Sequence, residues 1–305
     1  MKNVNILSLS FGNSRTTYKG WQGILDMIRE NLNGTEDIVI LPETCLGEAE
    51  INELGDPFLS GIADLAAKNK VYILVSVYRR IDEATRINSA ILYDRAGNIS
   101  FIYDKVYPWI GEFDYPAPKI IPGSGAVYAD TDFGRISTAI CFDANFPELW
   151  QEMADLDVDL VLFSSAYSAG SQLCAHTLNH HYAIVTATQK PDFAIYDING
   201  VELTYKRGER PEKVLVSRAC IDLDKVICHF NYNQEKVVQM LTDYPGQIEL
   251  EHEWEREEWF VIRSIHPNIS VRELCKQYGI ETLRNYKRRS RQLIEDKRKT
   301  AISSL

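Results

Sequence analysis

Two rhythms of apolar and polar positions alternate along this chain. Residues 4–10, 37–41 and 71–77 form short, nearly continuous apolar runs, which predicts buried strands. Between them, residues 20–31 and 56–68 carry apolar side chains at helical spacing and predict amphipathic helices. Residues 87–93, a turn at Asp94-Arg95-Ala96-Gly97-Asn98 and residues 99–103 read as a hairpin. The second half repeats the order. A strand at 134–140, a helix at 147–156 opened by Pro147, a buried strand at 158–163 and a helix from about 171 are followed by a strand at 183–188 and a hairpin turning at Asn199-Gly200. Two such halves predict a mixed α/β domain of two sheets with helices outside and functional loops at the strand ends. The rhythm stops near residue 231, so a domain over 1–230 and a C-terminal extension over 231–305 are expected.

Composition narrows the class. Apolar residues are 45% and charged residues 25% of 305, ordinary usage for a globular protein. No apolar run approaches the ~18 residues of a membrane span, and the first ten residues lack a secretory apolar region. A cytoplasmic protein without membrane contact is expected. Six cysteines include no Cys-x-x-Cys pair, which argues against a disulfide scaffold or zinc site, and neither metal nor organic cofactor is expected. Charge is split. The net −10 combines +6 over residues 271–305, from ten Lys/Arg and four acids, with −16 elsewhere.

Three stretches carry candidate chemistry. Leu41-Pro42-Glu43-Thr44 ends an apolar strand in a carboxylate, and Tyr103-Asp104-Lys105-Val106-Tyr107-Pro108 ends a hairpin arm in a lysine, with Gly111-Glu112 following. Ile140-Cys141-Phe142-Asp143-Ala144-Asn145-Phe146-Pro147-Glu148 puts a cysteine at a strand end before a proline-opened helix. Such an electropositive turn is expected to lower the thiol pKa and expose backbone N–H groups. None of the six histidines lies in a Cys–His or Ser–His motif, so a buried Glu is the obvious base for a Cys141 nucleophile.

In this order the stretches resemble the nitrilase, or carbon–nitrogen hydrolase, superfamily, over roughly residues 1–230. That family uses a Glu–Lys–Cys triad with a second Glu. The resemblance implies a four-layer αββα sandwich, normally paired with a second subunit as a homodimer. It implies Glu43 as general base and Cys141 as nucleophile. Lys105 and the Phe142 N–H would stabilise the oxyanion, and Glu112 would hold Lys105. The Phe142-Asp143 frame points to the amidase and carbamoylase branches: a small amide or N-carbamoyl substrate rather than a nitrile. Two departures mark this chain. Thr177-Leu178-Asn179-His180-His181-Tyr182 replaces the family's Arg-Ala-x-Glu-Asn stretch, and Asn145 replaces an Arg or similar group. Candidate substrate contacts are Trp109, Phe113, Tyr115, Asn145, Phe146, Ser165, Ala166 and Tyr167, an aromatic-rich set suited to an apolar portion of the substrate.

The extension offers a second class of function. A Ser270 cap, a short helix over 271–278, Gly279-Ile280 and a basic helix from 281 look like a helix-turn-helix. A DNA-tethered regulator is thus the alternative. Two packed helices with a basic face against acidic surface is the preferred reading of the segment.

Overall fold

The computed structural model describes residues 2–12, 20–208 and 214–303. The chain forms two compact units, Val4–Ile221 and a second made of Met1–Asn3 with Asp222–Leu305.

In the larger unit the elements follow as β1 (Asn3–Ser10), α1 (Gly20–Asn31), β2 (Ile38–Ile40), β3 (Glu50–Ile51), α2 (Pro57–Asn69), β4 (Tyr72–Arg80), β5 (Thr85–Tyr93) and β6 (Ile99–Asp104). Next come β7 (Lys119–Ile120), β8 (Ala129–Asp130), β9 (Arg135–Ile140), α3 (Pro147–Asp155), β10 (Leu160–Ser165) and α4 (Gly170–His180). The series closes with β11 (Ala183–Thr188), β12 (Asp192–Tyr196), β13 (Glu202–Arg207) and β14 (Leu215–Asp222). One sheet runs β14-β1-β2-β4-β5-β6, with β3 on β4 and β7 on β5; the other runs β13-β12-β11-β10-β9-β8. At the centre of each, β1, β2 and β4, and β9, β10 and β11, are parallel.

Alternation along β1 explains the layering. Leu7, Leu9 and Phe11 join Ile24 and Ile28 of α1 and Leu59 and Ile62 of α2 in one apolar core. Ser8 and Ser10 point the other way, as period-2 strands require. The Ser8 hydroxyl donates to the Thr186 carbonyl at 2.8 Å and that of Ser10 to the Asp192 carbonyl at 2.7 Å. Ser164 returns the contact, donating to the Leu41 carbonyl at 2.7 Å. Small hydroxyl residues on facing strands thus let the two sheets approach and join them. On the outside of the second sheet, Trp150 of α3 stacks on His176 of α4 with centroids 4.2 Å apart, and the Tyr182 hydroxyl donates to the Trp150 carbonyl. The result is the αββα sandwich.

The smaller unit contains β15 (Val226–His229), α5 (Gln234–Asp243), β16 (Ile248–Trp254), β17 (Trp259–Ser264), α6 (Val271–Tyr278) and α7 (Leu283–Ser303). Its antiparallel sheet runs β15-β17-β16. The acidic stretch near 249–260 is therefore a hairpin. The division falls at Asp222 rather than near residue 231, because Val226–His229 pairs with β17. Ser270 caps α6 by accepting from the Glu273 N–H, and Gly279 closes it at φ +63°. Val271, Leu274 and Cys275 of α6 are buried with Val226, Met240 and Phe260. Most of α7 beyond Leu283 is exposed or half-exposed. Among the described residues, no helix is long and apolar enough to cross a membrane.

Candidate active site

Sheet topology gathers the chemistry at one edge. Glu43 follows β2, Lys105 follows β6, Cys141 follows β9, Ala166 follows β10 and Gln189 follows β11. Glu112 stands in a 3-10 turn, Ile110–Asp114. The Lys105 ammonium, only 1% exposed, donates to Glu43 Oε1 at 2.8 Å and to Glu112 Oε2 at 2.7 Å. Further donors reach both buried carboxylates. Asn88 Nδ2 donates to Glu43 Oε1 at 2.8 Å and to Glu112 Oε1 at 3.4 Å. The Ala166 N–H donates to Glu43 Oε2 at 2.9 Å, and the Trp109 N–H to Glu112 Oε2 at 2.7 Å. Gln189 Nε2 holds the Glu43 carbonyl at 2.8 Å. Buried charges at this depth persist only when paired and hydrogen-bonded in this way.

Cys141 opens a 3-10 turn, Cys141–Asn145, in the left-handed region at φ +51°. A non-glycine residue there costs about 1–3 kcal/mol and needs support from its surroundings. Asp143 supplies it. Its carboxylate accepts from the Ile140 N–H at 2.8 Å, the Tyr103 hydroxyl at 2.7 Å and the Tyr107 N–H at 2.9 Å. The Trp150 indole N–H donates to its carbonyl at 2.9 Å. One buried aspartate thus ties the cysteine turn to the loop that carries Lys105.

The Cys141 thiol faces the Glu43 carboxylate and the Ala166 N–H. Burial, and after it the Glu43 charge, push its pKa up to about 12 against the opposing pull of Lys105. The expectation of a lowered thiol pKa is therefore corrected: desolvation and a carboxylate outweigh the turn. Burial works against the Lys105 ammonium, but Glu43, Cys141 and Glu112 overcome it and its pKa lies above the ordinary lysine value. Asp143 is pushed up to about 7 by burial, with its three donors pulling the other way.

Above Cys141 opens a cavity of about 500 Å³. Of the candidate substrate contacts, Trp109, Tyr115, Asn145, Ala166 and Tyr167 line it together with Phe142. Phe113, Phe146 and Ser165 do not. Phe113 is 44% exposed; Phe146 stacks on Tyr107 with centroids 3.9 Å apart; Ser165 is fully buried and accepts from the Tyr167 N–H. Sequence reasoning missed Asn88, Gln189, Thr44, Glu48 and Tyr78. A polar side chain inside the apolar run 87–93 was the available signal for Asn88, and a polar residue at the end of a buried strand was that for Gln189. Tyr182 of the departing stretch, and His176 just before it, pack around Trp150 rather than reaching the cavity.

Known proteins resemble this chain in sequence and in fold. The family model described as carbon-nitrogen hydrolase matches residues 10–189. A formamidase of Bradyrhizobium sp. (strain ORS 278) is 27% identical over 150 residues, 46% of this chain and 43% of that one. A deaminated glutathione amidase of Yersinia enterocolitica is 25% identical over 190 residues, 55% of this chain and 64% of that one. The chain thus spans about half the length of these curated relatives. Among solved structures, a carbon-nitrogen hydrolase from Helicobacter pylori G27 superposes with a TM-score of 0.63 at 16% identity, covering 79% of this chain and 94% of that one. Saccharomyces cerevisiae Nit3, of the nitrilase superfamily, does so at 0.61 and 16%, covering 80% and 95%. With the sandwich shared and the family model spanning the strand ends that carry Glu43, Lys105 and Cys141, this chain belongs to the carbon-nitrogen hydrolase family.

Proposed function

We propose that the protein hydrolyses a non-peptide C–N bond in a small amide or N-carbamoyl compound through a thioester on Cys141. The observation that carries this reading is the single Glu43 carboxylate facing the Cys141 thiol while it holds the Lys105 ammonium at 2.8 Å.

The resting thiol keeps its proton, so a base must take it as the bond to carbon forms. Glu43 accepts that proton while Sγ attacks the carbonyl carbon. The carbonyl electrons move onto oxygen, where the Lys105 ammonium and the Phe142 N–H, at the open start of the 3-10 turn, stabilise the charge. Collapse of this intermediate breaks the C–N bond, and Glu43 returns the proton to the departing nitrogen. Water then gives a proton to Glu43 and attacks the thioester, or the thiocarbamate formed from an N-carbamoyl substrate, and releases the carboxylic or carbamic acid as the proton on Glu43 restores the thiol. Glu112 and Asn88 keep Lys105 and Glu43 in register throughout.

An ammonia-release screen over amides, N-carbamoyl compounds and nitriles tests the proposal. Amide or carbamoyl turnover that disappears in Cys141→Ala, with the fold retained, is the expected result. Retained turnover in that variant sinks the assignment.

A further inference from the structure

The cavity above Cys141 holds a carboxylate for which hydrolysis has no use. Glu48, between β2 and β3, lines it beside Tyr78, Trp109 and Tyr115. Both terminal nitrogens of Arg86 donate to a single Glu48 oxygen, Oε2, at 3.3 Å, and neither uses Oε1. Arg86 also reaches Glu50 at 3.2 Å, and Glu50 is paired with Arg80 as well. The Arg86 side chain is 7% exposed and sits 4.2 Å from the Tyr78 ring centroid and 5.5 Å from that of Tyr115. It braces Glu48 and the two tyrosines without lining the cavity, while the Glu48 side chain stays 54% exposed.

Charge sorts the ligands this cavity accepts. Its lining includes the carboxylates of Glu43, Glu48 and Glu112, and Lys105 as the only cationic side chain among the described lining residues. The Lys105 ammonium is already shared by Glu43 and Glu112. A carboxylate on the far end of a substrate would meet Glu48 with no cation on the cavity lining to receive it, because Arg86 lies behind Glu48 and is held by Glu48 and Glu50. A cation would meet a braced carboxylate and the π-faces of tyrosine and tryptophan, the arrangement that favours ammonium and guanidinium groups. The phenols feel the same field: burial first, then Glu112, Glu43 and Glu48 raise the Tyr78 pKa against Lys105, and burial, then Glu48, Glu112 and Glu43 raise that of Tyr115 against Arg86. A cavity of about 500 Å³ is also far larger than a one-carbon amide fills.

We propose that the substrate is an amide or N-carbamoyl compound whose far end bears an ammonium or guanidinium group, seated on Glu48 against the Tyr78, Trp109 and Tyr115 wall. This rests on the hydrolase reading and names the substrate class for it.

The test measures kcat/KM for ammonia release from primary amides matched in length, ending in ammonium, methyl or carboxylate, over a range of chain lengths. The ammonium series is expected to lead the methyl series by about tenfold or more, and the carboxylate series to trail both. In Glu48→Gln the ammonium-to-methyl ratio falls by about tenfold, mainly through KM, and Glu48→Lys moves the ranking toward carboxylate. A methyl or carboxylate series that equals or leads the ammonium series overturns the inference and leaves hydrolysis standing, as does a ratio unmoved by Glu48→Gln. No ammonia from any series, and no acyl mass on Cys141, overturns the hydrolase reading and the inference with it.

Discussion

Replacing Glu112 with Gln asks how much of the chemistry depends on the way Lys105 is held. Glu112 Oε2 accepts from Lys105 Nζ and from the Trp109 N–H, both at 2.7 Å, while Oε1 takes the longer 3.4 Å contact from Asn88. A glutamine can keep its oxygen on the first two donors, but its amide nitrogen then meets the Asn88 Nδ2 donor, so shape survives while the long Asn88 contact and one charge are lost. A hydrogen bond to a charged group is worth about 1.5–3 kcal/mol and a neutral one about 1, which puts the loss over two bonds near 1–4 kcal/mol. Lys105 retains Glu43 as its anionic partner, so complete exposure of an unpaired buried ammonium, which costs about 3–5 kcal/mol, is avoided. If Lys105 acts on the oxyanion, most of this falls on the transition state, and kcat drops about 10- to 1000-fold with KM little moved. Steady-state ammonia release beside a thermal melt separates this from unfolding. A kcat within about threefold of wild type in a folded Glu112→Gln protein, well under 1 kcal/mol of barrier, refutes the role given to this contact.

Other consequences follow from the same contacts. With the Cys141 thiol pushed up to about 12, the free enzyme's alkylation rate should keep rising across about pH 6–9, and a plateau there would mark a thiolate instead. Asp143 has a folded pKa of about 7, above its ordinary 3.8, so it binds more protons folded than unfolded; its contribution to stability is full below pH 3.8 and is lost as pH rises through 7. Denaturant midpoints of wild type minus Asp143→Asn should therefore fall over that window, and a flat or rising difference contradicts the assignment. Leu274→Ala, in the core of the smaller unit, should cost about 2–5 kcal/mol, read by hydrogen exchange in β15 and β17; unchanged protection would show that α6 is not part of that core. A labelled DNA duplex is expected to show no salt-sensitive binding to α7; binding that is lost on truncation at residue 267 would favour the regulator reading instead.

Glu43, Lys105 and Cys141 were legible because each sits at a strand end beside a recognisable motif, and parallel strands bring such ends to one edge. What surrounds them depends on register and distance. Asn88 reaches both glutamates because β5 and β6 pair so that the Lys105 N–H donates to its carbonyl at 2.8 Å, which no local pattern announces. Arg86 of β5 meets Tyr78 of the neighbouring β4 and Glu48 from the connection between β2 and β3. Phe146 was an attractive wall residue by position, yet Tyr107 and Phe142 claim its ring. The thiol was misjudged for a similar reason: the turn after β9 is visible in the sequence, but the burial and the facing carboxylate are not. The boundary at Asp222 escaped because β15 continues the strand pattern of the preceding unit while pairing with β17.

The most direct test of covalent C–N hydrolysis is intact mass of the enzyme quenched during turnover of its best amide, with the modified peptide located. The prediction is an adduct equal to the acyl group on Cys141, formed as ammonia is released and gone when substrate is exhausted. Steady ammonia release with Cys141 unmodified, and retained by Cys141→Ala, would contradict it.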